Sequence, residues 1–147
     1  MKVYKIKSTL IKTVKESTIQ IVDSKVSADT FRSQYKRDGN DLNIQEHFYL
    51  LMLDNSCNIK GIALISTGGT TMTVVDTKII FKHAIDNLAE GIILCHNHPS
   101  GSLMPSRQDI KVTKKIIEGG KLLDINVFDH IIITEDSYFS FSDEGLI

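Results

Sequence analysis

Short apolar runs of strand length alternate along this chain with stretches in which apolar residues recur every three or four positions. Charged and apolar residues alternate over 3–7, which predicts a strand that 18–22 continue. Two mostly apolar runs at 47–53 and 59–66 flank a polar turn and predict a β-hairpin. A further short strand is predicted over 72–75. The first half of the chain is therefore expected to be rich in strands.

Two segments of this half have the spacing of helices. Residues 28–37 predict a short helix with Ser27 as its N-cap, ended by the Gly39-Asn40 pair. Asp76 is the expected cap of a helix over 77–89. Its predicted buried face consists of four apolar residues, Ile80, Ala84, Ile85 and Leu88.

The second half continues the alternation of strands and helices. The apolar run at 92–95 predicts a central strand, and Ser106 begins a helix that Gly119-Gly120 are expected to stop. Residues 125–134 and 138–141 predict a closing hairpin. The fold class predicted is α/β (α+β), a mixed and partly antiparallel sheet flanked by helices.

Composition and charge narrow the class of protein. The length of 147 residues predicts one domain over 1–147. The chain carries 17 Lys and Arg against 18 Asp and Glu, a formal net charge of −1. This balance excludes a strongly basic protein that binds nucleic acid through bulk electrostatics, so direct DNA binding is not supported.

The cysteines and the apolar runs bear on the cellular compartment. Cys57 and Cys95 form neither a CxxC pair nor a disulfide framework. The N-terminus lacks the apolar stretch of a signal peptide, and no apolar run approaches the ~18 residues of a membrane span. We therefore expect a cytoplasmic protein with no membrane contact.

One stretch carries candidate chemistry. Side chains alternate along a strand, so His96 and His98 are expected to point to one side and Asn97 to the other. Two imidazoles at a strand end can chelate one ion, and Asp109, in the first turn of the next helix, could add an oxygen ligand. Three protein ligands plus water make a catalytic zinc site with an open position.

Structural explanations compete with this one. Ser106 and Asp109 also form an N-terminal capping pattern, and Asp109 could both cap the helix and bind a metal. The two histidines could be a polar strand end. His130 could support a metal site nearby, or it could be a histidine satisfied within the core. Cys95, inside an apolar run, is expected to be a small buried hydrophobe.

Several families with a His-x-His sequence do not fit. Zinc deaminases need a Glu two residues after the first histidine, where this chain has His98. They also need a later Pro-Cys-x-x-Cys, which is missing here. A TIM-barrel metallohydrolase needs ~250 residues. The His-Glu-x-x-His sequence of the zincins is also missing.

The spacing resembles that of one family. His96-Asn97-His98, seven residues, Ser106, two residues and Asp109 resemble the JAMM (MPN+) metalloprotease motif. The surrounding residues resemble the JAMM domain of bacterial RadC proteins over roughly 40–147, so 1–39 would be an N-terminal extension packed on this core. The resemblance implies a JAMM/MPN architecture, similar to that of cytidine deaminases. Full-length RadC proteins also carry a helix-hairpin-helix module, for which 1–45 are too few, so we expect the chain to be a solitary JAMM domain or a fragment.

The resemblance also implies roles for single residues. His96, His98 and Asp109 match the ligands of a zinc ion (Zn2+). Glu46 matches the glutamate that activates the metal-bound water, and Ser106 matches the serine that supports the oxyanion.

The implied activity is that of a zinc-dependent metallopeptidase or isopeptidase, with a peptide or protein substrate that could be a modifier conjugate. The alternative is a DNA-repair-associated or mobile-element accessory protein whose site binds metal without peptidase activity. The sequence does not predict the oligomeric state.

Overall fold

The computed structural model describes residues 19–68 and 75–147. These residues form three helices and five strands. In chain order the elements are α1 (Ser24–Arg37), β1 (His47–Leu53), β2 (Ile59–Thr67), α2 (Thr77–Asp86), β3 (Gly91–Asn97), α3 (Arg107–Leu122), β4 (Asn126–Ile133) and β5 (Tyr138–Ser140).

The five strands form one sheet in the order β2-β1-β3-β4-β5. Strand β1 pairs antiparallel with both β2 and β3, and β4 pairs antiparallel with β5. Strands β3 and β4 are parallel, and α3 makes the crossover between them. The predicted class is confirmed: the fold is a mixed α/β sheet flanked by helices, consistent with a JAB/MPN-like fold.

Both faces of the sheet are covered, which explains why its central strands are continuous apolar runs. Every residue of β1 and β3 is buried. On one face α1 contributes Phe31 and Tyr35 to a core cluster with alternate residues of β1, β3 and β4. On the other face Ile80 of α2 and Ile116 of α3 pack on the remaining residues of β1 and β3. The metal-binding candidates lie at the end of this buried layer.

Both predicted hairpins are confirmed. Strands β1 and β2 occupy 47–53 and 59–67, and β4 and β5 occupy 126–133 and 138–140. The strand predicted over 3–7 and most of that predicted over 72–75 lie outside the described residues. Within 19–22 the backbone makes one isolated bridge, between Gln20 and Asn58.

The predicted start of α1 is wrong by four residues. The N-cap is Asp23, whose carboxylate accepts a hydrogen bond of 2.7 Å from the backbone N–H of Val26. Ser27 is instead a buried helical residue whose hydroxyl bonds to the carbonyl oxygen of Asp23. The carboxylate three residues before Val26 is the better-placed acceptor for the free N–H groups of the first turn.

The predicted buried face of α2 is only half correct. Ile80 and Ala84 are fully buried, but Ile85 and Leu88 are 50% and 75% exposed. The helix ends at Asp86, three residues earlier than predicted, and Leu88 has a left-handed backbone with φ of 48°. Leu88 therefore leaves the helical spacing on which the prediction rested.

The stop predicted for α3 at Gly119-Gly120 is also wrong, because the helix continues to Leu122. Both glycines serve close packing. A Cβ atom on Gly119 would lie 2.7 Å from the ring of Phe81, and one on Gly120 would lie 2.4 Å from the carbonyl oxygen of Ile125. The missing side chains allow α3 to approach α2 and the start of β4.

Replacing Gly120 by alanine should destabilise the protein even though alanine favours helices. The new methyl group would meet backbone at Ile125, which cannot rotate away, and such overpacking costs about 1–3 kcal/mol. Urea unfolding measures the effect. The control is Lys114→Ala at an exposed position of α3, which should change stability by less than about 0.5 kcal/mol. Equal stability of the two variants would contradict the packing role of Gly120.

Candidate metal centre

The end of β3 places its polar side chains on opposite faces of the sheet. His96 and His98 lie on the side of α3, and Asn97 points toward α1, as the alternation predicts. His96 and Asn97 have no exposed surface, whereas His98, just after the strand, is partly exposed. Strand pairing on both sides fixes the backbone of His96, and His98 follows the end of the strand by one residue.

The side chains of His96, His98 and Asp109 converge. Nε2 of His96 lies 3.2 Å from Oδ1 of Asp109, and Nε2 of His98 lies 3.4 Å from Oδ2. The two Nε2 atoms are 2.9 Å apart. All three candidate ligand atoms lie within 4.8 Å of one another, close enough to hold a single metal ion.

Hydrogen bonding prepares His98 to bind a cation. Its Nδ1 atom lies 2.8 Å from the carbonyl oxygen of Ser102, which can only accept a hydrogen bond. Nδ1 therefore donates to that oxygen, which leaves Nε2, the atom that faces His96 and Asp109, as the ring nitrogen available to a metal ion. This donor set, imidazole nitrogen and carboxylate oxygen, fits zinc and other divalent transition metals.

Asp109 caps α3 while it faces the two histidines. Its backbone N–H donates to the hydroxyl of Ser106 at 3.0 Å, and its Oδ2 accepts from the N–H of Ser106 at 2.6 Å. The sequence indicated that Asp109 could both cap the helix and face the histidines. The structure contains both the capping box and the histidine cluster. The cap therefore holds the carboxylate in place beside the imidazoles.

Electrostatics in the cluster favour a carboxylate beside a cation. Burial alone would raise the pKa of Asp109, but hydrogen bonds from His96 and His98 outweigh it and hold the pKa well below its usual range. Burial lowers the pKa of His98, while Asp109 and the carbonyl of Ser102 together raise it above its ordinary value. The site attracts positive charge, whether a proton or a metal ion.

A second row of polar side chains lies behind His96. Nε2 of His130 is 2.8 Å from Nδ1 of His96, and Nδ1 of His130 is 2.6 Å from Oγ1 of Thr113. His130 is fully buried and stacks on Phe141, and this burial keeps its pKa well below the ordinary value. Both expectations for His130 are met, because the ring is buried and hydrogen-bonded within the core and also contacts His96 of the candidate site. Sequence reasoning missed Thr113, although it follows Asp109 by four residues on the same helix face.

Asn97 connects the other face of β3 to the segment that carries Glu46. Its amide nitrogen donates to the carbonyl oxygens of Leu42 and Gln45, at 2.8 and 2.9 Å. Its amide oxygen accepts from the N–H of His47 at 2.8 Å. These three bonds bracket Glu46 and tie its backbone to the strand that ends in the histidines.

Glu46 and Ser106 share a cleft with the cluster. The cleft has a volume of about 480 Å³ and is lined by Glu46, His98, Ser106 and Asp109 among others. Glu46 is half-buried directly before β1, and Ser106 is exposed at the start of α3. The five residues singled out from the sequence therefore meet in one region of the protein.

Cys95 is fully buried and belongs to the core cluster on the α1 side of the sheet. This matches the expectation of a small buried hydrophobe. Burial raises the pKa of its thiol well above the ordinary value. Cys57 is half-buried, and both cysteines are free thiols.

The five-stranded sheet, with its His-x-His strand end facing the capped aspartate of the next helix, is consistent with a JAB-type fold that carries a candidate metal site. The sequence model of the RadC-like JAB domain matches residues 12–146. The chain therefore belongs to the RadC-like JAB domain family.

Relatives from bacteria and archaea carry the same name, UPF0758 protein. One from Flavobacterium johnsoniae is 50% identical over 101 residues, which are 69% of this chain and 44% of the relative. Others are 43% identical in Porphyromonas gingivalis and 45% identical in Methanococcoides burtonii, over 70% of this chain and 46% and 45% of the relatives. The chain thus spans less than half the length of these relatives.

Within 19–68 and 75–147, each helix is too short or too polar to cross a membrane.

The cluster predicts that one divalent metal ion binds per chain and that His96→Ala weakens binding strongly. Loss of a residue that hydrogen-bonds to a metal ligand lowers metal affinity 10–100-fold. Loss of a ligand itself should lower the affinity at least as much. Metal content by mass spectrometry and zinc affinity by chelator competition measure this. The control is His83→Ala, which removes a histidine of α2 outside the cluster. Full metal content in His96→Ala would contradict the assignment.

Proposed function

We propose that this chain is a zinc-dependent metallopeptidase or isopeptidase domain that hydrolyses an amide bond. The observation that carries the proposal is the convergence of His96, His98 and Asp109 beside a cleft that Glu46 also lines. Two imidazoles and the carboxylate of Asp109 can hold a metal ion, and the carboxylate of Glu46 lies in the same cleft. A metal site with a further carboxylate nearby is the arrangement of a metal hydrolase.

The donor set supports zinc as the metal. Two neutral imidazoles and one carboxylate leave a net positive charge on the ion and one open position in a tetrahedral site. Zinc bound there would supply Lewis acidity, which lowers the pKa of water toward about 7 and polarises a carbonyl group. His96, His98 and Asp109 would hold the ion.

Glu46 is the proposed general base and then general acid. Its carboxylate would accept a proton from the attacking water and return that proton to the leaving amine. Its backbone is well held for this task, because Asn97 bonds to both neighbouring residues, Gln45 and His47. The backbone oxygen of Glu46 also accepts a hydrogen bond of 2.8 Å from Gly68.

Ser106 is the proposed donor to the oxyanion. Its oxygen accepts a hydrogen bond from the N–H of Asp109, which leaves the proton of the hydroxyl to be donated elsewhere. Since Ser106 lines the cleft, that proton can be directed at a carbonyl oxygen held beside the metal ligands.

The walls of the cleft support a peptide or protein as substrate. Phe48, Val75, Met104 and Val112 line it with apolar surface, and Arg107 adds a cation at the start of α3. Such a surface suits side chains on either side of a scissile bond. A protein bearing a conjugated modifier is included in this substrate class. Because the net charge is −1, the proposal includes no direct contact with DNA. Two cysteines that form no disulfide framework support action in the cytoplasm.

Glu46→Gln should lower turnover strongly and leave metal binding intact. Loss of a general base typically lowers the rate by 10²–10⁴-fold, about 3–5 kcal/mol of transition-state stabilisation. Cleavage of a peptide library by the zinc-loaded protein measures the rate, and metal analysis measures occupancy. The matched control is Glu118→Gln on the exposed side of α3. Peptide cleavage by Glu46→Gln at the wild-type rate would exclude the proposed role.

Ser106→Gly should separate the oxyanion role from the cap. Glycine is tolerated as an N-cap at a cost of only a few tenths of a kcal/mol, so stability should change little. The rate should fall by roughly 10²–10³-fold if the hydroxyl stabilises the oxyanion. Thermal unfolding and peptide cleavage are measured on the same preparation. A fully active Ser106→Gly would show that the hydroxyl serves only the helix.

A further inference from the structure

The backbone pairing of β1 with β3 stops short of Glu46, and a side chain continues it. The antiparallel register of the two strands ends at Phe48 and His96. The next pair in that register would be His47 with Asn97, and there Oδ1 of Asn97 accepts the backbone N–H of His47 at 2.8 Å. The side chain of Asn97 thus takes the place of a backbone partner for His47.

Tyr35 of helix α1 bonds to the same residue. Its hydroxyl donates to the carbonyl oxygen of His47 at 2.6 Å and lies 3.0 Å from Oδ1 of Asn97. The nearer carbonyl is the main acceptor, because the hydroxyl has a single proton. The ring of Tyr35 is buried and meets the imidazole of His47 edge to face. Both backbone polar groups of His47 are therefore bonded by buried side chains.

The residue on the other side of Glu46 is also held by Asn97. The carbonyl oxygen of Gln45 accepts from Nδ2 of Asn97 at 2.9 Å, and the same nitrogen donates to the carbonyl of Leu42 at 2.8 Å. The carbonyl oxygen of Glu46 accepts from the N–H of Gly68 at 2.8 Å. Hydrogen bonds from other parts of the fold therefore fix the backbone at Glu46 and on both sides of it.

This fixed backbone decides the face of the sheet on which Glu46 lies. Side chains alternate between the two faces along an extended chain. His47 contacts Tyr35 on the side of α1, whereas Glu46 and Phe48 line the cleft on the opposite side. A shift of one residue in 45–47 would turn the carboxylate of Glu46 toward α1, away from the candidate metal ligands.

We infer that Asn97 and Tyr35 are positioning residues, which hold the carboxylate of Glu46 on the cleft side of the sheet. The inference rests on the proposed function for the use of that carboxylate as a base, but the placement itself is a property of the protein without metal. An amide suits this task, because it offers two N–H donors and an acceptor oxygen on a short side chain. Aspartate lacks the donors, and serine is too short to bridge the same groups.

The metal ligands depend on other interactions. Strand pairing holds His96, and the carbonyl of Ser102 bonds to His98. The capping box holds Asp109. Breaking the bonds around Glu46 should therefore displace the proposed base and leave metal binding close to wild type. A displacement of about 1 Å can lower a rate by about 10²-fold.

The test uses two variants that remove these bonds and one that does not. Tyr35→Phe removes only the hydroxyl, and Asn97→Ser removes the amide. Tyr49→Phe is the matched control, because Tyr49 is buried in the same core cluster but its hydroxyl donates to Asp38. Peptide cleavage by the zinc-loaded protein gives kcat and KM, in the wild type and in the Glu46→Gln background. Chelator competition gives the affinity for zinc.

The expected result is a loss of kcat that acts through Glu46. In Asn97→Ser kcat should fall about 10–100-fold, and in Tyr35→Phe about tenfold, while KM and zinc affinity stay within about threefold of wild type. Neither change should lower kcat further in the Glu46→Gln background, because both act through that carboxylate. Tyr49→Phe should keep kcat near wild type.

A second readout needs neither metal nor activity. Nuclear Overhauser contacts of the Glu46 side chain, measured by NMR on the metal-free protein, report whether it faces the cleft. We expect the contacts of the wild type in Tyr49→Phe and their loss in Asn97→Ser and Tyr35→Phe.

The outcomes separate this inference from the proposed function. An active wild type, with unchanged kcat in folded Asn97→Ser and Tyr35→Phe, overturns the inference alone. So does an equal loss of kcat in Tyr49→Phe, or a further loss in the Glu46→Gln background. An inactive wild type overturns the proposed function, and unchanged contacts of Glu46 in the metal-free variants then overturn the inference as well. Thermal unfolding establishes that each variant is folded, and Tyr35→Phe decides if Asn97→Ser is not.

Discussion

The site depends on two polar side chains, His96 and Asn97, at the fully buried end of the central strand β3. An amide or imidazole removed from water costs roughly 1–3 kcal/mol unless it is hydrogen-bonded. Each side chain is satisfied on its own face of the sheet. Asn97 binds the backbone of the segment that carries Glu46, and His96 binds His130 and faces Asp109. Satisfying these two groups brings the proposed base and the proposed metal ligands to one end of the sheet.

Helix α3 connects the metal ligands to the fold in a second way. Its capping box holds the carboxylate of Asp109 against the backbone of Ser106 while both oxygens face the histidines. One turn further along, Thr113 bonds to the carbonyl of Asp109 and to His130. The first two turns of a single helix thus orient a carboxylate directly and an imidazole through a neighbour. The carboxylate of Asp109 both caps the helix and faces the histidines. The site therefore needs few residues beyond those that stabilise the fold.

Sequence patterns predicted the fold best where burial follows a simple period. The two hairpins and the class of the sheet are confirmed because apolar runs in β1, β3 and the second half of β4 lie between polar turns. The ends of helices were predicted less well. Gly119 and Gly120 look like a helix stop but lie inside α3, where Phe81 and Ile125 approach too closely for a side chain. Such close approaches join residues far apart in sequence, which local periodicity cannot reveal.

By itself, the sequence determined the spacing of His96, His98 and Asp109, because strand alternation and a short loop place these residues together by local geometry. It determined the cap at Ser106 for the same reason. Only the tertiary structure decided that Glu46 lies in the same cleft and that His130 contacts His96. Both depend on the pairing of β3 with β1 and β4, in which paired residues are about 35 to 50 positions apart in the sequence. Contacts across such distances are set by packing of the whole sheet, and no local pattern encodes them.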